Sequence, residues 1–510
     1  MVFVRLGVCA VALCFALTVQ GSCVNITVPS TNYSLNTRMI QAALDHASAS
    51  GRDNVLGCVS ISGGDFPVEK LNVGSNTWLR IEPDARLVNV INVTRTAVVH
   101  VLQARNVLLE GGGTIYGDAE HAWNYWSVVD DRMSPYFDDG LPLRTNTLRI
   151  ESSSDVIVRD LHLHNSTDWT FRLDNSTNVW VERLDIYGDS RFPNNDGFDP
   201  QSCRNVTLID SAISVADAGI CPKAAASMGP LVGLYVRNVT IRSKSHAIKF
   251  GSNTDDDMRD IIFDNITIWD SNGGMSIQQR TEGDIENVTW SNIRVETRYQ
   301  APRWWGNGEW LGFTNAPRGD GHRIGSIRGM RFVNITARSE NGGLVSGLSS
   351  AGASDISFEN MHIKIAAWGN YSDGSGPSCF ASGRVCSNDT GTTPAPPASS
   401  AKCTTPGISG VAPGDEINCM GTRDYRPIPS LLPPDLPPRV RGGDRTPSKA
   451  DALFLENVHG VRFANVTFEF ESPRKPWFGA CLVVDKYSDG ISGADSIKCI
   501  NGNGSTAAMA

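Results

Sequence analysis

Over much of the chain apolar and polar residues alternate in short runs, which is the period of a strand and not of a helix. A nine-residue unit carries the alternation. It starts at Asp155, Asn178, Asn205, Gly233, Asp260, Asn287, Gly329, Asp355 and Gly460, with a looser first copy at Asn106. Positions 2 and 4, and usually 7 and 9, are apolar, so two short strands flank a polar turn residue. Starts lie 23, 27, 28, 27 and 27 residues apart from Asp155 to Asn287, a period that signals a solenoid. Leucine is too scarce for a leucine-rich repeat, and a propeller blade needs a longer repeat. Parallel strands stacked coil on coil fit the period. Position 6 is Asn at Asn238, Asn265, Asn292, Asn334, Asn360 and Asn465. Asn tolerates left-handed turn geometry, and its amides can form a ladder between coils.

A solenoid needs caps. Near the N-terminus Met39, Ile40, Ala43, Leu44 and Ala47 recur at helical spacing, which predicts an amphipathic helix covering the first coil. The repeat is interrupted twice. The spacing opens to 42 residues after Asn287, adding a loop with Trp304, Trp305 and Trp310, and to 105 after Asp355. Within the second gap, residues 372–448 are rich in Pro, Gly, Ser and Thr and hold four cysteines, which reads as an insertion. The expected organisation is a signal peptide over 1–22, a β-helix over 23–371, the insertion, and a last coil with a tail over 449–510.

The leader reading rests on Arg5 followed by the apolar run Leu6 to Val19 and small residues after it. That run is too short to span a bilayer, which takes about 20 residues. Ten of the 12 cysteines lie beyond it, an even number suited to an oxidising compartment. Fourteen Asn-x-Ser/Thr sites suggest a glycoprotein, although a turn Asn before a β-branched strand satisfies that motif by itself. A net charge of −9 lacks the basic footprint of a nucleic-acid binder. The expectation is a secreted, extracellular monomer with no membrane span and no nucleic-acid partner.

The polar run 193–200 interrupts the β pattern, and Asn194-Asn195-Asp196-Gly197 is ordinary turn chemistry on its own. Asp217 follows Asp196 by 21 residues, nearly one coil, and His246 lies about one longer coil beyond. Two carboxylates and an imidazole in register would make an acid–base site. Lys249 sits between Ile248 and Phe250, so alternation turns it outward. For Lys249 and Arg280 a solvated strand charge is the plain alternative. The tryptophan loop offers either ring faces for sugars or packing onto the coils.

These residues carry a resemblance. Asn194-Asn195-Asp196-Gly197-Phe198-Asp199 resembles the Asn-Thr-Asp-Gly-x-Asp motif of glycoside hydrolase family 28, the polygalacturonase family. Residues 216–223 are similar to its Gly-Asp-Asp-x-Ile-x-x-Lys motif, and residues 245–252 to Gly-His-Gly-x-x-x-Gly-Ser. The resemblance implies an all-β, single-stranded right-handed parallel β-helix, the pectin-lyase-like solenoid, with an N-terminal capping helix. It implies inverting hydrolysis of a pectin-type polysaccharide without metal or cofactor. Asp217 would be the general acid, Asp196 the base, and His246 the residue that tunes the acid. Asn194, Asp199, Lys223, Lys249, Arg280, Trp304 and Trp305 are the candidate substrate-binding residues. Cys203 and Cys221 stand where the family often places a disulfide, while Cys23 with Cys58 and Cys481 with Cys499 pair by proximity alone.

Two departures qualify what the resemblance implies. Ala218 replaces the second aspartate of the family's adjacent pair, and Ser276 and Gln278 stand where its uronate-binding Arg and Lys would be. A carbohydrate-binding or structural β-helix without activity is therefore the second reading. A polysaccharide lyase is the third, although Asp255, Asp256 and Asp257, its acidic run, suit a surface turn.

Overall fold

The computed structural model describes residues 18–19, 23–52, 55–91, 93, 96–122, 144–188, 194–298, 305–315, 323–347, 352–367, 450–474 and 478–502. The expected insertion lies outside these residues, as does the expected leader apart from Thr18–Val19.

The repeat units fold as one right-handed parallel β-helix. The strands Ser154–His164, Thr177–Tyr187, Arg204–Val215, Leu231–Ser243, Met258–Ser271, Ile285–Thr297, Ile327–Ser339, Ala353–Ile365 and Val458–Phe470 stack in that order, all parallel. Unit positions superpose. Val156, Val179, Val206, Leu234, Ile261, Val288, Met330, Ile356 and Val461 form one continuous inner row. Position 4 makes a second row that turns aromatic along the solenoid. Phe263 stacks on Trp290 at 4.6 Å, Trp290 on Phe332 at 5.9 Å, Phe332 on Phe358 at 5.0 Å and Phe358 on Phe463 at 5.2 Å. The last step bridges the 105-residue gap without loss of register. Loop closure costs only about 0.6 kcal/mol more per doubling of length, whereas each buried ring contributes about 1.5–3 kcal/mol.

The polar positions bend the ribbon. Position 6 has a left-handed backbone in every coil from Asp160 through Arg183, Asp210, Asn238, Asn265, Asn292, Asn334 and Asn360 to Asn465, with φ of 51–57°. Position 1 does the same from Asp155 to Gly460. Asp, Asn and Gly dominate because their side chains strain least there. The amide ladder forms in places: Asn265 donates to Asn238 at 3.2 Å, Asn334 to Asn292 at 3.0 Å and Asn465 to Asn360 at 2.8 Å.

The remaining wall of the coil is built from shorter strands in two blocks. One runs from Leu71–Val73 through Thr96–Leu102, Thr145–Glu151 and Phe171–Asp174 to Phe198–Gln201. The other runs from His246–Phe250 through Gly273–Gln279, Glu309–Asn315 and Gly343–Ser346 to Leu453–Glu456 and Val483–Val484. Between them the segment 219–223 makes only isolated bridges, Phe198 to Ile220, Gln201 to Lys223 and Ile220 to Ile248. The wall is thus interrupted at the coil that carries Asp217.

The N-terminal cap is the helix Tyr33–Ser50, whose N-cap Asn32 accepts from Leu35 N. Ile40, Leu44 and Ala47 are buried as expected. Met39 is 37% exposed, and the buried Asn36 fills the first turn instead, donating to the Ser30 and Pro67 carbonyls. Cys23–Cys58 and Cys481–Cys499 are bonded, one near each end of the solenoid.

The expected Cys203–Cys221 bond is absent; both thiols are free and buried. Register explains it. Gln201 pairs with Lys223, which sets Cys221 beside Asp199, four positions before Cys203. The Cys203 thiol contacts the Gln201 carbonyl and the Cys221 thiol the Gly251 carbonyl, in different coils.

Candidate active site

The bridges Phe198–Ile220–Ile248 fix what lies just before them. Asp196, Ala218 and His246 occupy the same place on three successive coils, and Asn195, Asp217 and Ser245 the place one residue earlier. Gly197 N donates to Ala218 O at 2.9 Å and Gly219 N to His246 O at 3.1 Å. These coils close because of the two glycines: a Cβ on Gly197 would sit 2.5 Å from Gly219 O, and one on Gly219 2.6 Å from Ala247 O. Asn195 locks the arrangement, its Oδ1 accepting from Ala216 N at 2.9 Å and Asp217 N at 3.2 Å.

The two carboxylates have unequal surroundings. Asp217 accepts from Ala218 N at 2.9 Å on one oxygen and from the Asn194 amide at 3.5 Å on the other. Asp196 is 3% exposed, and its Oδ1 has no hydrogen-bond partner among the described residues. Burial first, then the charge of Asp217, push the Asp196 carboxyl up to about 6, against the opposing charges of Lys223 and Lys249. Lys223 ion-pairs with Asp199 and stands 3.6 Å from Asp196. Burial pulls Lys223 down, but the two carboxylates outweigh it and hold the ammonium above its ordinary range. Ligand atoms of Asp196, Asp199 and Cys221 lie within 4.8 Å of one another, but the Lys223 ammonium already supplies the cation at that cluster.

His246 is buried, and its Nε2 lies 2.9 Å from Glu309 Oε1. Glu309 is likewise buried and also accepts from Asn307 N. A carboxylate only accepts, so Nε2 carries the proton in this contact and a neutral ring presents Nδ1 as an acceptor. Gly273 makes room, since a Cβ there would sit 2.2 Å from His246 Cδ2.

The remaining candidates divide. Lys249 faces the site as alternation predicts, in register with Ser276 and with its ammonium 5.0 Å from the Trp305 ring centre. Arg280 is buried. It follows the strand Gly273–Gln279 and bonds inside the coils to the Gln279 carbonyl and Thr314 Oγ1, both at 3.0 Å. Trp305 is only 4% exposed and packs at Lys249, and Trp310 is core, its Nε1 donating to Ala452 O, so neither offers an open ring face. Trp304 lies outside the described residues. Ser276 Oγ donates to Gly312 O at 3.0 Å. Gln278 is buried, with neither Oε1 nor Nε2 bonded among the described residues.

Two neighbours of the site were not anticipated. Glu309 is 63 residues from His246 in sequence, beyond the lengthened spacing, and carried no motif. Trp169 lies beside the site, its ring 4.0 Å from the Lys223 ammonium and 4.7 Å from the Arg172 guanidinium carbon. Its signal was positional: it stands one coil before Asp196, just ahead of the strand Phe171–Asp174.

The parallel β-helix thus carries an acidic pair on adjacent coils where one wall is interrupted. Residues 56–302 match the model of glycosyl hydrolases family 28. A polygalacturonase from Persea americana is 25% identical over 196 residues, 37% of this chain and 39% of that protein. A probable polygalacturonase from Vitis vinifera is 28% identical over 142 residues, 26% and 29% of the two chains. The chain therefore spans well under half the length of these relatives. Among solved structures, the exopolygalacturonase from Thermotoga maritima superposes with a TM-score of 0.51 at 18% identity, covering 64% of this chain and 83% of that one. The endo-xylogalacturonan hydrolase from Aspergillus tubingensis gives 0.50 at 16% identity, over 68% and 95%. Likeness at these identities establishes the fold. No helix among the described residues is long and apolar enough to cross a membrane.

Proposed function

We propose that the protein is a secreted glycoside hydrolase cleaving an O-glycosidic bond of a pectin-type polysaccharide with inversion. What supports this is the convergence of Asp196, Asp217 and His246 on adjoining coils within the region that matches family 28. Inversion needs one protonated and one ionised carboxyl group on opposite sides of the bond. Like charges kept close in a buried site do not both ionise readily, so the pair holds one proton and one charge at mildly acidic pH. The resemblance gives Asp217 the acid role and Asp196 the base role. In the free protein burial and then the neighbouring Asp217 charge hold the proton on Asp196 up to about pH 6. Two carboxyl groups that share a proton in this way titrate as one unit. Glu309 holds the His246 ring in a fixed orientation beside them. The Leu6–Val19 run and the two disulfides support export to an oxidising compartment.

The substrate is inferred from uncharged positions. Ser276 and Gln278 provide no charge-assisted grip on a carboxylate, each bond of which would be worth about 1.5–3 kcal/mol. An unbonded buried amide at Gln278 suits a hydroxyl or ester group. A methyl-esterified, xylose-substituted or rhamnose-containing galacturonan is thus the proposed substrate class, ahead of plain polygalacturonate. Purified protein is to be assayed on these polymers for new reducing ends. Faster release from substituted polymers than from polygalacturonate is expected, and the reverse order overturns the substrate assignment. Ala218 favours one other reading, a β-helix that binds carbohydrate without cleaving it; saturable binding with no reducing ends on any polymer would establish that instead.

A further inference from the structure

Away from the carboxylate pair, two histidines and an aspartate converge on the outer face of the long sheet. His162 and His164 are two apart on the strand Ser154–His164 and so project from the same face. Asp185, on the next strand, is in register with His162, and Tyr187 with His164. One carboxylate oxygen, Asp185 Oδ2, lies 3.0 Å from His162 Nδ1 and 2.9 Å from His164 Nε2. The three ligand atoms all fall within 4.8 Å of one another. The imidazoles meet edge to face with centroids 5.4 Å apart, and His164 packs the same way on Tyr187 at 5.9 Å, which steadies its ring. The strand neighbours of His162 and Asp185 on the outer sides are small, Thr114 and Ala212, while Tyr116 stands beside His164. The side chains are 27–48% exposed, so a further ligand can reach them from solvent.

We propose that His162, His164 and Asp185 form a binding site for a divalent transition-metal ion such as Zn²⁺. Bonds of about 2.0–2.2 Å in a tetrahedral site place ligand atoms about 3.3 Å apart, so the two histidine–aspartate spacings need to open by only a few tenths of an ångström. Two nitrogens and one oxygen suit zinc, cobalt, nickel or copper and not calcium or magnesium, which take oxygen ligands. Three protein ligands leave a fourth position for water, so the ion is exchangeable. Its structural effect is to tie two adjacent coils: the chain runs from His164 on to Trp169, and from Asp185 on to Asn194 and Asp196. The ion therefore clamps the coils whose turns flank the carboxylate pair. The site is independent of the substrate reading above.

The test is calorimetric titration of ZnCl₂ into the untagged, chelator-treated full chain, with CaCl₂ as the comparison, and visible absorption after adding CoCl₂. Expected are one equivalent of Zn²⁺, no calcium heat, an intense four-coordinate cobalt spectrum and a rise in melting temperature with Zn²⁺. Removing even an outer partner of a metal ligand costs about 10–100-fold in affinity, so His164→Ala and Asp185→Asn should each weaken binding at least that much. His362→Ala, which alters an exposed histidine paired with Glu469 elsewhere on the same sheet, should leave it unchanged. Zinc binding that survives both His164→Ala and Asp185→Asn, or none in the parent chain, overturns the proposal. A six-coordinate cobalt spectrum also overturns the tetrahedral site, and that readout needs no variant.

Discussion

Asp196 and Asp217 stand one position out of step on adjacent coils, and their surroundings set what each can do. With burial holding Asp196 up to about 6, the pair keeps a proton below that pH and loses it above. An acid is needed for departure of the leaving group, so turnover should fall as pH rises through about 6. Ala218 lies between Asp196 and His246 in the stack, and Ala218→Asp adds a like charge there. That raises the pair's last pKa, and the alkaline limb of the kcat/KM profile should move to higher pH; a limb that stays put would show that Asp196 does not set it. Roles within the pair separate by leaving group. Asp217→Asn and Asp196→Asn should each lower turnover on polymer by about 10²–10⁴. An activated aryl glycoside needs no acid, so it should restore Asp217→Asn alone. Restoration of Asp196→Asn instead would exchange the two assignments. At this scale the placement of Asp196, Asp217 and His246 on adjoining coils was readable because motif and coil spacing coincide. For Arg280 the solvated alternative fails, since it is buried, and its direction was not legible because it sits just past the strand, where alternation no longer applies. The cysteine pairing failed because one coil of spacing does not guarantee equal register.

Elements were legible wherever one face is wet. In the long-sheet strands buried and partly exposed residues take turns, because the outer face meets solvent, and the repeat unit follows from that. The opposite wall is different. Gly273–Gln279 and Glu309–Asn315 are buried at every residue, so no alternation survives in their sequences to mark them as strands. The interior row at position 4 carries much of the cohesion between coils. Trp290 is fully buried and stacked between Phe263 and Phe332. Trp290→Ala should cost about 3–5 kcal/mol, measured as a fall in unfolding free energy, whereas Trp269→Ala, at an exposed position of the same sheet, should cost little. Equal losses would mean that the aromatic row does not tie the coils together.

On the scale of the whole molecule, a solenoid with both ends pinned by disulfides presents one interrupted wall, and the acidic pair lies at the interruption. The central claim is that this pair hydrolyses a glycosidic bond with inversion. It is tested most directly by following early product formation by proton NMR on a substituted galacturonan, before the free sugar ends mutarotate. The account predicts new reducing ends whose anomeric configuration is opposite to that of the bond cleaved, with none formed by the Asp196→Asn, Asp217→Asn double variant. Ends of retained configuration, or unsaturated ends, would contradict it.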